Sequence, residues 1–297
     1  GLTVQNIVVS MSSRMSDGQC YVALSRVTSL QGLYLLDFNR EKLRASTTVN
    51  LEMERMRRDM LLSTYHASIL SAMTDSQKHT LIAVLNTRSL PAHHTDVVQE
   101  PLLSNCTALC LTETRLSPTH QSDRYAIPNF HLFRQDRFRT TQRRGVGGGV
   151  CAYIRESAQC CPHRLAMQCE QIITLEVQCL LVQPQNLTEL CIVTVYRPPT
   201  LSAPQFNLAF CKLLREVTSL QKPSLVVGDF NLDLLASAHS PETVDELQRC
   251  GFEQYVKCAT HASGSLLDHV YANIPVDITQ NAAYYSDHDM LWVKLTH

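Results

Sequence analysis

From about residue 79 onward, the sequence repeats short apolar runs of strand length that are separated by turn-rich stretches. The runs are rich in Val, Ile and Leu, as expected of strands in a packed sheet. They read HTLIAVLN, TALCLTE, GGGVCAYI, QIITLEV, ELCIVTVY, SLVVGDF, SLLDHVYA and DMLWVKL. A doubly wound parallel sheet needs a helix between most successive strands, and few are indicated here. The pattern therefore predicts two packed β-sheets with helices on the outside.

Two helices are indicated within this region. The first, over about residues 203–220, places its bulky apolar residues on one stripe. These are Phe206, Phe210, Leu213, Leu214 and Val217. The second, over about 241–250, has Ser240 as its N-cap, Pro241 in its first turn and Gly251 as its terminator.

The first 58 residues do not show this regular series of strand-length apolar runs. NIVVS and YLLDF are two predicted short strands, and LEMERMRRDMLLS, over 51–63, is a predicted helix. Residues 59–78 are weakly patterned and are interpreted as a linker. Because the chain starts at Gly1 rather than Met, we expect it to be a fragment or a processed product.

Composition excludes several classes of protein. The net charge is −1 at pH 7, with 44% hydrophobic and 18% charged residues, which excludes a disordered polymer, a collagen and a histone-like polycation. No run of 18 apolar residues predicts a membrane span, and no leader predicts secretion. The twelve cysteines fall mostly in apolar runs and form no CxxC pair, which favours buried, reduced thiols in an intracellular protein.

Polar residues recur at or near the ends of the predicted strands, where a rigid sheet can hold side chains convergently. A single Asp or Asn at such a place is more often a turn residue. A whole set is harder to explain by turns. The set is Asn86, Glu113, Tyr196, Asp229, Asn231, Asp268, Asp287 and His288.

These residue types permit one kind of chemistry in particular. Glu113 and Asp287 supply hard oxygen ligands that suit Mg²⁺. His288 offers a base or a phosphate contact, and Asp268 could orient its imidazole. Together they suit the metal-assisted attack of water on a phosphodiester. A Ser or Cys nucleophile is less well supported, because no GxSxG motif occurs.

Seven motifs occur in the order of a known superfamily: NTRSL, LTETRL, GGGV, VYRPP, GDFNLD, SLLDHV and SDHDM. They closely resemble the endonuclease/exonuclease/phosphatase superfamily, whose DNase I-like fold includes apurinic endonucleases and the endonucleases of non-LTR retrotransposons. The resemblance covers about residues 79–297 and is greatest to the retrotransposon branch. It implies an α/β fold, a four-layer sandwich of two mostly antiparallel β-sheets flanked by helices. It also implies an Mg²⁺-dependent DNA endonuclease, with Mn²⁺ as a second candidate cation.

The resemblance assigns a role to each matching position. Glu113 and Asp287 match the metal-binding carboxylates, and Asn86 matches an amide that aids the metal and phosphate site. Tyr196 matches a tyrosine that contacts the scissile phosphate.

Four further positions match residues that contact the phosphate, transfer a proton in the reaction, or orient a residue that does so. Asp229 matches the acid that positions the attacking water or protonates the leaving oxygen, and Asn231 matches an amide that holds the phosphate. Asp268 matches the aspartate that orients His288, which acts on the phosphate. Two nearby loop residues are candidate supporting hydrogen bonders, although ordinary loop polarity explains them equally well: Thr260 and Ser265.

The N-terminal segment, GLTVQNIVVS followed by GQCYVALSRVTSLQGLYL, resembles the C-terminal end of a Pif-type superfamily-one DNA helicase. Gln19 and Arg26 match its last motif, where the arginine reaches the ATP γ-phosphate. No Walker A sequence occurs in the chain, so we expect no ATPase activity from it. A helicase end fused to such an endonuclease resembles Helitron-type transposon proteins of the Helentron branch. Replication-initiator and helicase domains would then lie upstream.

DNA binding by a nearly neutral chain requires a local basic patch. The arginine-rich stretch before the GGG motif is one candidate, with Arg143 and Arg144 as its phosphate contacts, although a solvated loop is almost as good an explanation. Arg88 and Arg197 lie within motifs and are stronger candidates near the cleft. A DNA substrate would place the protein in the nucleus.

Two alternatives stay open at this point. One is a phosphatase of the same superfamily that acts on inositol phosphates, or a sphingomyelinase. The other is a non-catalytic transposon remnant that only binds DNA. The occupied catalytic positions argue against the remnant, and the YRPP and TET contexts argue against the phosphatase.

Overall fold

The computed structural model describes residues 3–11, 18–37, 79–100, 102–137, 147–169, 175–184 and 188–296. The chain divides into two compact units, Gly1–His66 and Ala67–His297. The helix predicted over 51–63 and the linker predicted over 59–78 lie outside the described residues. The domain limits at 58 and 79 therefore stay predictions.

The smaller unit contains a two-stranded parallel sheet. Strand β1 (Ile7–Ser10) pairs with β2 (Leu33–Leu36), and these segments overlap the two predicted strands. Between them lies a short helix, α1 (Gln19–Leu24), which the apolar run had not indicated. Gly18 precedes it with φ +80°, a left-handed conformation that glycine adopts without steric cost.

The larger unit contains two six-stranded sheets among its described residues. In chain order the strands are β3 (His79–Asn86), β4 (Ala108–Thr112), β5 (Phe130–Gln135), β6 (Val150–Arg155), β7 (Gln159–His163), β8 (Glu176–Gln183), β9 (Leu190–Tyr196), β10 (Ser224–Asp229), β11 (Glu253–Gln254), β12 (Asp268–Ala272), β13 (Asp277–Ala282) and β14 (Asp289–Thr296). Sheet A has the order β11-β12-β10-β9-β8-β7, and sheet B has the order β13-β14-β3-β4-β6-β5. Each sheet has one parallel pair at its centre, β9–β10 or β3–β4, and is otherwise antiparallel.

Three apolar clusters join the layers. Between the sheets, residues such as Ile82 and Ile154 of sheet B pack with Ile192 and Val227 of sheet A. The other faces of both sheets are covered by helices α2 (Leu90–Val98), α3 (Ala203–Ser219) and α4 (Pro241–Cys250), with α2 on sheet B and α3 and α4 on sheet A. The predicted fold, two mostly antiparallel sheets flanked by helices, is confirmed.

Both predicted helices form at the expected places. The whole apolar stripe of α3 is buried against sheet A. At α4, the Ser240 hydroxyl accepts a hydrogen bond from the Thr243 N–H (3.3 Å), and Gly251 ends the helix with φ +71°. None of the described helices is long and apolar enough to cross a membrane.

The sequence patterns missed β5, β7, β11 and β13, and all four are edge strands of their sheets. Their residues alternate irregularly between exposed and partly buried positions, so they lack the continuous apolar character of the central strands. The predicted strand QIITLEV, over 171–177, overlaps β8 at Glu176 and Val177, and its residues 171–174 lie outside the described residues. The short helix α2 was also missed.

The polar strand ends meet at one edge of the sandwich. Strands β3, β4, β9 and β10 all end there, because each sheet carries a central parallel pair. Strands β12 and β14 run antiparallel to these neighbours and therefore begin at the same edge. This topology brings together residues as far apart in the chain as Asn86 and His288, which are separated by 202 positions.

We predict that the stability of this sheet edge is especially sensitive to the addition of a side chain at Gly228. Its φ is +136°, and a Cβ there would lie 2.0 Å from the Val195 carbonyl oxygen on the paired strand. Gly228→Ala should lower the free energy of unfolding by about 3 kcal/mol or more, measured by urea denaturation. Gly251→Ala is the matched control, because its φ is also positive but open space surrounds it. That control should cost about 1 kcal/mol, and equal losses for the two variants would contradict the steric argument.

Candidate active site at the sheet edge

Asp229 lies at the centre of the polar cluster and is almost completely buried. Its Oδ2 accepts a hydrogen bond from the Asn86 side-chain amide (2.8 Å), and its Oδ1 accepts one from the Asn231 backbone N–H (2.8 Å). The Asn231 amide also donates to Oδ2 (3.2 Å). The last residue of β10 is thus fixed by an amide from each sheet.

His288 and Asp268 form a buried pair beside it. The His288 Nδ1 lies 2.7 Å from Asp268 Oδ2, and its Nε2 lies 3.4 Å from the Asn86 amide nitrogen. Thr260 donates its hydroxyl hydrogen to the same Asp268 oxygen (2.7 Å). The predicted contact between Asp268 and the histidine is therefore present, and Thr260 supports it.

Ser265, the second predicted supporting residue, has a different place. Its carbonyl oxygen accepts from the backbone N–H groups of Thr260 (2.9 Å) and His261 (3.0 Å). Its hydroxyl accepts from Ser263 (3.1 Å). Ser265 thus shapes the turn that carries Thr260, and the structure shows no direct contact between Ser265 and Asp268 or His288.

Glu113 and Tyr196 form the next part of the site. The Tyr196 hydroxyl donates to Glu113 Oε1 (2.8 Å), which joins the end of sheet A to the end of sheet B. The Arg115 guanidinium lies 3.6 Å from the other Glu113 oxygen.

Glu176, which sequence reasoning missed, supports the far side of Tyr196. It forms an ion pair with Arg137, whose guanidinium lies over the Tyr196 ring at 5.6 Å from the centroid. Glu176 also accepts a hydrogen bond from the backbone N–H of Gly149. This glycine belongs to the GGG motif and has a φ of +87°. The motif therefore shapes the wall beside the tyrosine.

Asp287 lies at the more open side of the cluster. Its Oδ2 is 3.2 Å from the Arg88 guanidinium and 3.5 Å from His261 Nε2. Its Oδ1 is buried and has no hydrogen-bond partner among the described residues. His261, Asp287 and His288 each offer a ligand atom within 4.8 Å of the others, so this group could hold a metal ion. His261 was not singled out by the sequence, since no motif marks it.

Four residues around the site adopt left-handed backbone conformations that L-residues seldom occupy: Arg88 (φ 56°), Glu113 (φ 49°), Arg115 (φ 54°) and Asn231 (φ 44°). Such conformations are held only where surrounding contacts impose them, and they cluster at functional sites. They turn the chain sharply after strands β3, β4 and β10, so that these side chains face the shared edge.

The electrostatics of the buried groups follow from these contacts. Burial raises the pKa of Asp229 well above its ordinary value of 3.8, and the nearby Asp268 charge raises it further. Burial acts to lower the pKa of His288, but the hydrogen bond and charge of Asp268 outweigh it and raise that pKa to about 9. Burial and the Glu113 charge raise the pKa of Tyr196, which keeps its hydroxyl protonated at neutral pH.

The four arginines proposed for DNA contact have different environments. The Arg88 side chain is 52% exposed beside Asp287. Arg197 is buried, and its guanidinium donates to the carbonyl oxygens of Asn231 (2.6 Å) and Leu201 (2.6 Å). Arg197 thus supports the loop that carries Asn231, and its contact with DNA stays a prediction. Arg143 and Arg144 lie outside the described residues.

The two residues matched to the helicase motif lie in the smaller unit. Gln19 begins helix α1, and Arg26 follows that helix. The Arg26 backbone carbonyl accepts from the Val4 N–H (2.8 Å). Their ancestral role in ATP binding stays a prediction.

Comparison with known families decides the assignment of the larger unit. A sequence model of the Endonuclease/Exonuclease/phosphatase family matches residues 79–288, more than two thirds of the chain. The chain belongs to this family. Membership places it with hydrolases that cleave phosphate esters, and the matched region contains the whole polar cluster.

Solved structures of the same architecture agree with the fold. The AP endonuclease LMAP from Leishmania major has a TM-score of 0.59 at 14% identity, over 75% of this chain and 89% of that one. The endonuclease domain of TRAS1, a telomere-specific non-LTR retrotransposon, has a TM-score of 0.55 at 12% identity, over 73% and 98%. The human Nocturnin catalytic domain with bound sulfate has a TM-score of 0.55 at 14% identity, over 73% and 93%. At such identities the likeness establishes the fold alone.

A separate similarity concerns a helicase. The chain is 37% identical over 62 residues to the ATP-dependent DNA helicase PIF1 of Danio rerio. This covers 21% of the chain and 10% of the helicase. The chain thus spans about a tenth of the length of this curated relative.

The His288–Asp268 pair generates a prediction about pH. Since the folded-state pKa of His288 is about 9 and its ordinary value is 6.5, the stability from this pair is complete below about pH 6.5 and is lost as the pH rises through 9. In Asp268→Asn, the hydrogen bond and charge of Asp268 are lost while the burial of His288 stays, so the pKa of His288 should fall clearly below 9, which NMR titration of its ring would measure without added metal. Asp245→Asn, on the exposed face of α4, is the control and should leave that pKa unchanged. A His288 pKa that stays near 9 in Asp268→Asn would refute the assigned cause.

Proposed function

We propose that this protein is an Mg²⁺-dependent DNA endonuclease that nicks a strand by phosphodiester hydrolysis and leaves a 3′-hydroxyl. The observation that carries the proposal is the convergence of Asp229, Asn86, His288 and Asp268, in which polar atoms of each residue lie within 3.4 Å of the next, at the edge where Glu113 and Tyr196 also meet. Family membership supports hydrolysis of a phosphate ester. Two structural relatives are an AP endonuclease and the endonuclease domain of a retrotransposon, which supports a DNA substrate.

The residues present fit a divalent cation. Asp287 has one buried oxygen without a described partner, and the second Glu113 oxygen lies 3.6 Å from the Arg115 guanidinium, beyond hydrogen-bonding distance. Carboxylate oxygens are the ligands that Mg²⁺ prefers, and one or two of them suffice when phosphate and water complete the shell. Glu113 and Asp287 would hold Mg²⁺ with help from the Asn86 amide, and Mn²⁺ would suit the same donors. When bound, the ion would neutralise charge that develops on the phosphate in the transition state.

Asp229 is the residue best suited to move a proton. Hydrolysis forms a bond between a water oxygen and phosphorus and breaks the bond from phosphorus to the 3′ oxygen. The water loses a proton, and the 3′ oxygen takes one up. Because burial raises the pKa of Asp229 toward the working range, its carboxyl can take part in such a transfer near neutral pH.

His288 is better suited to stabilise charge than to act as a base. With a pKa of about 9, its imidazole is cationic at neutral pH. Asp268 and Thr260 fix the ring, so Nε2 is presented to the phosphate. Asn231 and Tyr196 are neutral polar side chains that would contact the phosphate by exchanging their present hydrogen bonds, to Asp229 and Glu113, for bonds to its oxygens.

The wider context is part of the same proposal. The similarity to a PIF1 helicase supports a Helitron-type origin, with replication-initiator and helicase domains upstream. Such a protein would act in the nucleus. Without a Walker A motif in this chain, we expect no DNA-stimulated ATP hydrolysis.

A phosphatase within the same family and a non-catalytic remnant are the competing functions. The phosphatase would release phosphate from inositol phosphates. The remnant would bind DNA without cutting it.

Nicking of supercoiled plasmid tests the proposal directly. We expect Mg²⁺-dependent conversion to the open circle, loss with EDTA and no phosphate release from inositol phosphates. Asp229→Asn should reduce the rate about 10²–10⁴-fold, because its proton transfer is lost. Asp233→Asn is the control, since Asp233 lies four residues along the same loop, and the asparagine oxygen can still accept the hydrogen bonds that the Leu235 and Leu266 N–H groups now donate to Asp233 Oδ1. Equal nicking by parent and Asp229→Asn, unaffected by EDTA, would exclude this site.

The arginine-rich stretch is tested by the salt dependence of DNA binding. If Arg143 and Arg144 each contact a phosphate, the double alanine variant should reduce the slope of log K against log salt by about 2. Arg249→Ala removes an exposed arginine from α4, on the outer face of sheet A, and should leave the slope unchanged. An unchanged slope in the double variant would remove this stretch from the DNA interface.

A further inference from the structure

His269 lies behind the turn that follows strand β10, residues 230–232. In β12 it comes directly after Asp268, and successive residues of a strand point to opposite faces of the sheet. Asp268 points to His288, so the His269 ring lies on the outer side of sheet A, where it is completely buried. There the Phe230 ring stacks on it, with 4.7 Å between the centroids and 8° between the planes. His269 is therefore packed against the turn from the side opposite to the site.

Side chains from outside the turn hold its backbone carbonyl oxygens. The Arg197 guanidinium donates to the carbonyls of Phe230 (3.2 Å) and Asn231 (2.6 Å). The Nε2 of His269 lies 2.9 Å from the next carbonyl oxygen, that of Leu232. These contacts matter because Asn231 has a φ of 44°, which an L-residue keeps only where its surroundings impose it. Arg197 thus holds the first part of the turn, and His269 holds its end.

The contacts of the His269 ring determine where its hydrogen lies. Nε2 is 2.9 Å from the Leu232 carbonyl oxygen and 3.3 Å from that of Leu266, and a carbonyl oxygen can only accept, so Nε2 carries the hydrogen. Burial lowers the pKa of His269 to about 3, which keeps the ring neutral and leaves Nδ1 as an acceptor. The Tyr271 hydroxyl therefore donates to Nδ1 (2.8 Å), and His239 Nε2 donates to that hydroxyl oxygen (2.8 Å).

The turn carries Asn231, which contacts two other parts of the site. Its backbone N–H donates to Asp229 Oδ1 (2.8 Å), and its side-chain amide donates to the Arg197 carbonyl (2.8 Å). A shift of the turn would displace both the group that fixes Asp229 and the amide that we expect to hold the phosphate. A misplacement of about 1 Å in such a group can cost about 10²-fold in rate.

We propose that His269 is a positioning residue of the active site, whose Nε2–H fixes the Leu232 carbonyl and so keeps Asn231 in place beside Asp229. Because its ring is completely buried, it acts through the turn and does not touch the substrate. Its role in the reaction rests on the proposed function. Its effect on the turn does not, and can be measured without DNA or metal.

Two substitutions separate the hydrogen bond from the packing of the ring. The amide of glutamine extends as far from Cα as Nε2 does, so His269→Gln keeps a donor for the Leu232 carbonyl. The amide of asparagine lies at the position of Nδ1, so His269→Asn keeps a partner for Tyr271 and loses that donor. Both variants lose the stacking on Phe230. Urea denaturation would measure the stability that each loses, and every comparison is made where all variants are folded.

His239→Asn is the matched control. It changes a second histidine of the same aromatic cluster, and the asparagine amide is too short to donate to the Tyr271 hydroxyl. The contact between His269 and Leu232 is left in place. This variant therefore disturbs the cluster without releasing the turn.

Hydrogen exchange, followed by mass spectrometry on peptides that contain residues 230–235, measures the turn directly. We expect exchange there to be about fivefold to tenfold faster in His269→Asn, as the loss of one hydrogen bond implies. His269→Gln and His239→Asn should exchange at nearly the parent rate. The measurement uses the full chain without DNA or Mg²⁺.

Plasmid nicking at saturating DNA and Mg²⁺ measures the consequence for the reaction. We expect His269→Asn to reduce the rate about 10- to 100-fold. His269→Gln should retain most of the parent rate, and His239→Asn should leave it unchanged. Rescue by glutamine alone is the result that a purely structural role would not give.

Three results would overturn the proposal. The first is parent-like exchange in a folded His269→Asn variant. The second is an equal loss of rate in the glutamine and asparagine variants, which would leave the ring a packing role only. The third is parent-like nicking by His269→Asn in spite of faster exchange. If the parent chain does not nick plasmid, the proposed function fails, and the exchange rates still decide whether His269 holds Asn231 in place.

Discussion

Two carboxylates, Asp229 and Asp268, face each other across the paired strands β10 and β12, and both are almost completely buried. Like charges at such a place repel, and burial makes each more costly. The site is arranged to offset this cost. His288 provides a positive charge beside Asp268, while Asn86 and Asn231 donate to Asp229. Burial and then the neighbouring Asp268 raise the pKa of Asp229, and the hydrogen bond and charge of Asp268 raise that of His288.

This arrangement requires a rigid frame, since a small shift would leave a buried charge without its partner. The frame is the pair of sheets, whose central parallel strands end at the same edge. Apolar layers on both faces of each sheet fix their positions. The Glu113–Tyr196 hydrogen bond then joins the two sheets at the edge itself. A hydrolytic site built this way depends on packing across the whole unit.

Much of the fold followed from pattern alone. Central strands are apolar on both faces, so β3, β4, β9 and β10 were found from their continuous runs. Edge strands such as β7 and β13 carry mixed residues and were missed, because solvent covers part of each. Helices α3 and α4 have clear sequence signals, whereas α2 buries only Leu90 and Val97 and has no side-chain cap, so its sequence shows no stripe. The strand-end residues were proposed from motif resemblance, and the structure brings most of them into one cluster.

The sequence by itself indicated which residues are candidates for chemistry, because residue type and position at a strand end are local properties. It also determined the layer architecture, because apolar periodicity is local too. Only the tertiary structure decided which partners those residues have. His261, Glu176 and the buried place of Arg197 depend on contacts between segments far apart in the chain. No local pattern encodes such contacts, since they arise from the register of the strands and the path of the loops that join them.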